Sequence, residues 1–286
     1  GLAGIDCTPG PCDDLLFQRL IIENNGVGTD SFGADGLAVE RGYPIVVEDV
    51  IVRNNGGDGI DLNSRDRRPT PGVVVRRCVV AANHLNGVKL WASGRLENCL
   101  FYDMGLTPLS LGAFSNVELE LANNVIAYNM VYGRDYSARG WAVDVGYADP
   151  GSQAPTNVKL TLRNNIFAFN SYNNPDGQTG LYLGPGVVLT ESNNLYFSRE
   201  DGEIYLAATD RWYGRTEIVS GVWTSETNQG AGDLGEDPRF VDMLGGDFHL
   251  QASSPAIDAG TSFGAPADDL GKRSRPQGGG YEVGVY

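Results

Sequence analysis

The chain is poor in the residues that most often bind transition metals or nucleic acids. It contains only two histidines, His84 and His249, and neither stands in a spacing typical of a metal site, so we assign them no chemistry. Lysine and arginine total 21 against 36 acidic residues, and the net charge of −15 argues against nucleic acid as a partner. No apolar run of about eighteen residues occurs, so we expect no membrane-spanning segment.

Cysteine is also scarce, with four residues in 286. Cys7 and Cys12 bracket the turn CTPGPC, which is short enough for a local disulfide. Cys78 and Cys99 begin two similar segments, where they would stack either as small apolar core residues or as a strained disulfide. The sequence begins without methionine, and we expect a secreted protein whose leader has been removed.

Glycine is abundant, with 39 residues, and a short segment recurs along the chain in forms such as LIIENNG, VIVRNNG and CVVAANH. Alignment of the copies stacks five asparagines, with Met104 in the same position of one copy: Asn25, Asn55, Asn83, Asn129 and Asn170. A second short strand follows most copies, as in GLAVE, GIDLN and GVKLW. Short strands without helical periodicity predict an all-β parallel β-helix of about seven coils, with the asparagines in one inner corner.

We expect a single domain over residues 1–286. Residues 1–19 would close one end, residues 20–200 would form the regular coils, and residues 201–286 would supply the last coil and a C-terminal cap. The sequence of this last part resembles the tails of secreted bacterial right-handed β-helix proteins. The resemblance implies a right-handed coil.

The second strands of successive copies carry a column of polar residues that alternates with apolar ones. Asp35 and Asp58 stand directly before a glycine, and Asp61 and Lys89 stand in the column three residues later. Spacings of one coil place all four on one outward patch. Three converging carboxylates repel one another unless a cation lies among them, and oxygen ligands without His or Cys favour Ca²⁺. A solvated acidic face with Lys89 as an ion-pair partner is the alternative.

At these residues the sequence resembles the family 9 polysaccharide lyases, over roughly residues 17–95. The matching strands are ADGLAV, GDGIDL and NGVKLW. The resemblance implies a calcium-dependent lyase that cleaves a pectate-type uronate polymer by β-elimination, with Asp35, Asp58 and Asp61 as metal ligands and Lys89 as the base. One departure is Gly57, where the family pattern has a further Asp, and we expect an Asp restored there to strengthen calcium binding.

Several side chains are candidates for binding an acidic polysaccharide. Trp91, on the same face as Lys89, would stack on a sugar ring or pack under a loop. Arginines would clamp uronate carboxylates or belong to solvated loops: Arg65, Arg67, Arg68, Arg134 and Arg139. The same spacing assigns Asp144 to the Trp91 column.

Two other functions remain open. Asp58 and Asp61 would suit a polygalacturonase-like glycoside hydrolase, although the Gly-His-Gly and Arg-Ile-Lys strands typical of such enzymes are absent. A non-catalytic polysaccharide-binding or surface β-helix is the second, and Gly57 favours it. In each case we expect a monomer.

Overall fold

The structure is a computed structural model that describes residues 4–7, 12–26, 34–62, 72–129, 141–147, 152–170, 180–198 and 202–286.

The described chain consists almost entirely of short strands. In chain order they are β1 (Ile5–Cys7), β2 (Leu15–Gln18), β3 (Ile21–Glu23), β4 (Leu37–Val39), β5 (Ile45–Glu48), β6 (Ile51–Arg53), β7 (Ile60–Leu62), β8 (Val73–Arg76), β9 (Val79–Ala81), β10 (Val88–Leu90), β11 (Gly94–Glu97), β12 (Leu100–Tyr102), β13 (Leu109–Leu111), β14 (Glu118–Ala122), β15 (Val125–Ala127), β16 (Val143–Val145), β17 (Val158–Arg163), β18 (Ile166–Ala168), β19 (Leu181–Leu183), β20 (Val187–Ser192), β21 (Leu195–Phe197), β22 (Ile204–Leu206), β23 (Arg211–Tyr213), β24 (Phe240–Asp242) and β25 (Asp247–Leu250). Two short helices follow β23: α1 (Arg215–Val219) and α2 (Val222–Thr227). A 3-10 turn at Met243–Gly245 lies between β24 and β25. Neither helix in the described ranges is long and apolar enough to cross a membrane.

Three sheets form the walls of a parallel β-helix. Within the described ranges the first sheet has nine strands in the order β1-β4-β7-β10-β13-β16-β19-β22-β23, and only β23 among them is antiparallel to its neighbour. The second and third sheets have seven described strands each. The second contains every third strand from β2 to β20, and the third contains every third strand from β3 to β21. The described residues therefore supply one strand of each sheet to seven successive coils, as the repeat predicted.

Alternation within each strand fills the interior. In the first sheet the residues on either side of an outward position are fully buried, as Ile60 and Leu62 are on β7. Burial of each such side chain contributes about 1.5–3 kcal/mol, and a register slip of one residue would turn Asp61 inward instead. The alternating pattern thus fixes which side chains face outward.

The asparagine ladder predicted from the repeat is present. Asn25 Nδ2 donates to Asn55 Oδ1 at 2.8 Å, and Asn55 Nδ2 donates to Asn83 Oδ1 at 2.9 Å. Met104 interrupts the ladder, and Asn129 Nδ2 resumes it by donating to Asn170 Oδ1 at 2.9 Å. Each bond contributes about 0.5–1.5 kcal/mol net and ties one coil to the next.

A second ladder, which we did not predict, lies at the corner between the second and third sheets. Asn124 Nδ2 donates to Asn165 Oδ1, and Asn165 Nδ2 donates to Asn194 Oδ1, both at 3.0 Å. Cys78 and Cys99 occupy the same column in the earlier coils, where both are buried and free. The interpretation as core residues is confirmed and the disulfide between them is wrong, because each thiol donates to a backbone carbonyl instead. The expected Cys7–Cys12 disulfide is present.

The C-terminal residues do more than close the last coil. After β22 and β23 they cover the outer face of the third sheet, where Phe248, Val283 and Val285 pack on side chains such as Val125 and Ile166. Asparagines at the bends bond to the tail backbone: Asn98 Nδ2 to Asp268 O, Asn123 Nδ2 to Glu282 O and Asn164 Nδ2 to Thr261 O, at 2.7–2.9 Å. The tail reaches back to the second and third coils, where Lys272 Nζ lies 3.0 Å from Asp49 and Asp268 lies 3.3 Å from Arg77.

Candidate active site

The outward column of the first sheet brings Asp61 and Lys89 together. Lys89 on β10 pairs in register with Asp61 on β7, and Asp61 pairs with Ala38 on β4. On its other side Lys89 pairs with Ser110 on β13. Adjacent strands lie about 4.8 Å apart, so the two charged side chains stand next to each other on the outer face.

Asp35 and Asp58 are held at the bend that precedes these strands. Asp35 Oδ1 accepts the backbone N–H of Asp58 at 2.7 Å. Asp58 Oδ1 accepts both the backbone N–H and the side-chain Nδ2 of Asn86, at 2.9 and 2.7 Å. Each carboxylate is therefore held in place by a backbone N–H that the next coil donates to it. Asn86 is the positioning residue that sequence reasoning missed, although it stands in the aligned slot before Gly87.

Gly57 and Gly59 are required by the close approach of neighbouring coils. A Cβ at Gly59 would lie 2.7 Å from Asn83 Nδ2, inside the asparagine ladder. A Cβ at Gly57 would lie 2.4 Å from Asp35 Oδ1 and 2.8 Å from the Ala34 carbonyl carbon. An Asp at position 57 would thus displace the backbone and Asp35 itself, which argues against our expectation that it would strengthen a cation site.

The three aspartates converge on one point beside Lys89. Asp35, Asp58 and Asp61 each offer a carboxylate oxygen, and these oxygens lie within 4.8 Å of one another. Lys89 Nζ forms a close ion pair with Asp58 and lies 3.4 Å from Asp61 Oδ2. The Asp58 side chain is 2% exposed, whereas the Lys89 side chain is 21% exposed. Of the four groups, Asp58 is enclosed and Lys89 is accessible from solvent.

Burial and mutual repulsion perturb the ionisation of the cluster. Burial, opposed by the Lys89 ammonium, raises the pKa of Asp61 to about 6. Burial and the Asp58 carboxylate also raise the pKa of Asp35, although the Asp58 N–H partly offsets this. Burial lowers the pKa of Lys89, but the carboxylates of Asp58 and Asp61 outweigh it and leave that pKa above its ordinary value. Without another cation, Lys89 is held as an ammonium.

One oxygen of the cluster has no hydrogen-bond partner. Asp61 Oδ1 is buried and unbonded within the described part of the chain, while Asp61 Oδ2 faces Lys89. A buried carboxylate oxygen without a donor costs about 1–3 kcal/mol or more. Three carboxylates and one ammonium also leave two negative charges uncompensated. Hard oxygen donors, an unbonded oxygen and this residual charge fit a divalent cation such as Ca²⁺.

Trp91 lies next to the cluster but is held by packing. Its ring meets Phe114 edge-on, with centroids 6.0 Å apart, and Lys89 Nζ lies 6.0 Å from its centroid. Its Nε1 is buried and has no partner among the residues placed by the structure. The arginine candidates fall outside the described residues: Arg65, Arg67, Arg68, Arg134 and Arg139.

Asp144 lies in a different column from the predicted one. It pairs with Ser110 and so belongs to the Lys89 column rather than the Trp91 column. The predicted column counts from Gly140 in the sequence, as if that glycine directly preceded the strand. Ala142 occupies the place directly before β16 that Gly87 occupies before β10, so Asp144 falls in register with Ser110 and not with the residue two further on.

A match to a family model supports the architecture. A family model described as "Right handed beta helix region" matches residues 10–146. A search of curated proteins finds no match. Among solved structures, the chain is similar to the crystal structure of pectate lyase Pel9A, with a TM-score of 0.43 and 12% identity over 93% of this chain and 69% of that one. The protein is an all-β, right-handed parallel β-helix, as predicted.

Proposed function

We propose that the protein is a calcium-dependent polysaccharide lyase that cleaves a uronate-containing polymer of the pectate type by β-elimination. The observation that carries the proposal is the position of Lys89, a partly exposed amine between Asp58 and Asp61 with Asp35 beside them. An amine next to clustered carboxylates, on a wall open to a polymer, suits proton abstraction beside a cation-bound uronate.

The aspartates would hold the cation. Asp35, Asp58 and Asp61 supply oxygen ligands within 4.8 Å of one another. Asp61 Oδ1 would bind a cation without breaking a hydrogen bond, because it has no partner within the described residues. A bound Ca²⁺ would neutralise the uronate carboxylate on which negative charge develops. Asn86 positions Asp58 for this role through its two bonds to Oδ1.

Lys89 would act as the base. In β-elimination the C5–H bond breaks and its proton passes to Lys89 Nζ, the electron pair forms the C4–C5 double bond, and the C4–O4 bond breaks. The leaving O4 takes a proton from solvent. Lys89 must first lose its own proton, which the unneutralised carboxylates oppose. Neutralising their charge lowers the pKa of Lys89, so the free base becomes accessible only when the carboxylates are occupied.

The geometry is less suitable for a glycoside hydrolase. Asp61, with a pKa of about 6, has the ionisation expected of a general acid. The second carboxyl expected from the sequence, Asp58, is 1% exposed and already bound by Asn86 and Lys89. A carboxylate in that position cannot reach a sugar ring without losing these partners.

The assay that separates the functions is the product formed from polygalacturonate in the presence of Ca²⁺. A lyase produces an unsaturated, ultraviolet-absorbing chain end, and EDTA added at the start prevents its formation. A hydrolase produces reducing ends without this absorbance, and a binding protein produces neither. Reducing ends without absorbance would refute the proposal. Location outside the cell and a monomeric state belong to the same proposal, and the Cys7–Cys12 disulfide favours an oxidising compartment.

A further inference from the structure

Four aromatic side chains form a cluster at the C-terminal end of the first sheet. We name it the aromatic platform: Trp141, Tyr182, Tyr205 and Trp212. The Trp141 ring is nearly parallel to those of Tyr205 and Trp212, at 17° and 19°, with centroids 5.7 and 5.3 Å apart. Tyr182 lies 5.1 Å from Trp141, and Tyr205 lies 4.8 Å from Trp212. All four side chains remain partly exposed.

The platform occupies the same outward columns as the acidic cluster. Register pairing runs from Asp61 to Lys89, Ser110, Asp144, Tyr182 and Tyr205. Trp141 stands two residues before Val143, which pairs with Leu109, just as Asp58 stands two residues before Ile60. The Asp61 column, charged in the early coils, therefore carries Tyr182 and Tyr205 in the late ones, and Trp141 stands in the Asp58 column.

A polymer lying along the coil axis would span both ends of these columns. Lys89 and Tyr182 are three strands apart, or about 14 Å at about 4.8 Å per strand. The outward residues between them are the short side chains of Ser110 and Asp144, both buried. Lys89 and the platform are thus the partly exposed residues at the two ends of this line, and the two side chains between them are buried.

Among the residues that the structure describes, the charges around the platform favour an uncharged ligand. Tyr205 O–H donates to Asp210 Oδ1 at 2.8 Å. Burial raises the pKa of the Tyr182 phenol, and the nearby Tyr147 and the Asp144 carboxylate raise it further. The nearby Arg211 guanidinium is engaged by Glu217 and Glu226 and lies over Tyr213 instead. A uronate carboxylate would meet negative charge here, whereas the apolar face of a neutral pyranose would meet flat rings.

We propose that the aromatic platform is a second saccharide subsite, which binds an uncharged pyranose residue of the polymer whose uronate lies at Lys89. This inference deepens the proposed function and rests on it for the identity of the polymer. It implies that the substrate carries neutral sugars as well as uronates.

The first test uses the Lys89→Ala variant, whose aromatic platform is unaltered, with two probes of one linkage: polygalacturonate, and polygalacturonate in which a fraction of the carboxyls has been reduced to hydroxymethyl groups. Binding is measured by calorimetric titration with Ca²⁺ present and the base removed by Lys89→Ala. We expect the partly reduced polymer to bind more tightly. Tighter binding of the fully acidic polymer would overturn the assignment, and this comparison does not depend on any platform variant folding.

The second test uses Tyr205→Ala and Trp212→Ala, with Tyr205→Phe as the matched control that keeps the ring. Each alanine variant should weaken binding of the partly reduced polymer by about tenfold, or ~1.4 kcal/mol, and change binding of polygalacturonate much less. Tyr205→Phe should keep most of the affinity. Circular dichroism checks that each variant is folded. Folded alanine variants with wild-type affinity would contradict the proposal.

The two proposals fail separately. If the wild type yields no unsaturated product but the platform variants still lose affinity, the saccharide subsite stands and the lyase falls. If product forms normally and the variants bind as the wild type does, only the subsite falls.

Discussion

Asp61→Asn should stabilise the metal-free protein at neutral pH, because burial disfavours the ionised carboxylate of Asp61 in the folded state. Burial raises the pKa of Asp61 from 3.8 to about 6. A group with a raised folded pKa stabilises fully below its unfolded pKa and loses that contribution as pH rises through the folded value. At about 1.36 kcal/mol per unit, two units cost ~3 kcal/mol once both states are ionised. Asparagine has the same shape, and its amide oxygen can keep the contact with Lys89.

The assay is urea unfolding in EDTA between pH 4 and pH 8. The variant should match the wild type near pH 4, gain through pH 6, and reach a midpoint about 1 M higher at pH 8 if the slope is ~3 kcal/mol/M. Calcium at a hundred times its dissociation constant should return ~2.7 kcal/mol to the wild type and nearly cancel the difference. A stability difference that is absent or independent of pH would refute the reasoning.

Asp49→Asn is the control of opposite sign. Burial raises the pKa of Asp49, but hydrogen bonds from Arg77 and Lys272 outweigh it and leave the pKa below its ordinary value. Its contribution to stability is present above the unfolded pKa and is lost as pH falls. The asparagine variant should therefore be less stable than the wild type at pH 8 and approach it in acid.

Three further predictions concern the site. Lys89→Arg and Lys89→Ala should each lose about 10² to 10⁴ in turnover while calorimetry still detects Ca²⁺ binding; near-normal release of unsaturated product would exclude Lys89 as the base. Asp58→Ala and Asp61→Ala should each weaken Ca²⁺ binding at least about tenfold in the same titration, and unchanged affinity in both would place the metal elsewhere. Gly57→Asp should lower the unfolding midpoint and weaken Ca²⁺ binding, since its Cβ would lie 2.4 Å from Asp35 Oδ1; tighter binding would show that the coils can yield there.

The parts of the fold that repeat in sequence were predictable. Asn25, Asn55 and Asn83 follow nearly identical segments, so one alignment gave both the coil and the ladder. The second ladder escaped because Cys78 and Cys99 occupy its column in the early coils, and its asparagines appear only from Asn124 onward. The path of the tail was not predictable, because its contacts join residues far apart in sequence and follow no period.

The site was predictable as far as the two-residue period and the coil spacing reach. These place Asp61 beside Lys89, but they do not say that Lys89 would pair most closely with Asp58, which depends on side-chain conformation and burial. The aromatic platform was missed because Trp141 follows an insertion and the copy that holds Tyr205 has Glu203 in place of the leading glycine, although Tyr182 stands in GLYLG at the spacing of Lys89 in GVKLW. A column becomes visible in such copies only when strand register is known.

The path of the C-terminal tail bears on how the protein unfolds. In a solenoid each coil contacts only its neighbours, so coils can separate from one end while the rest persists. Here the tail crosses the coils from outside and joins Asp268 and Lys272 to Arg77 and Asp49, near the opposite end. Loss of an early coil therefore also removes contacts of the last residues of the chain. We expect cooperativity across the whole stack, with the tail acting as a tie between coils that do not touch.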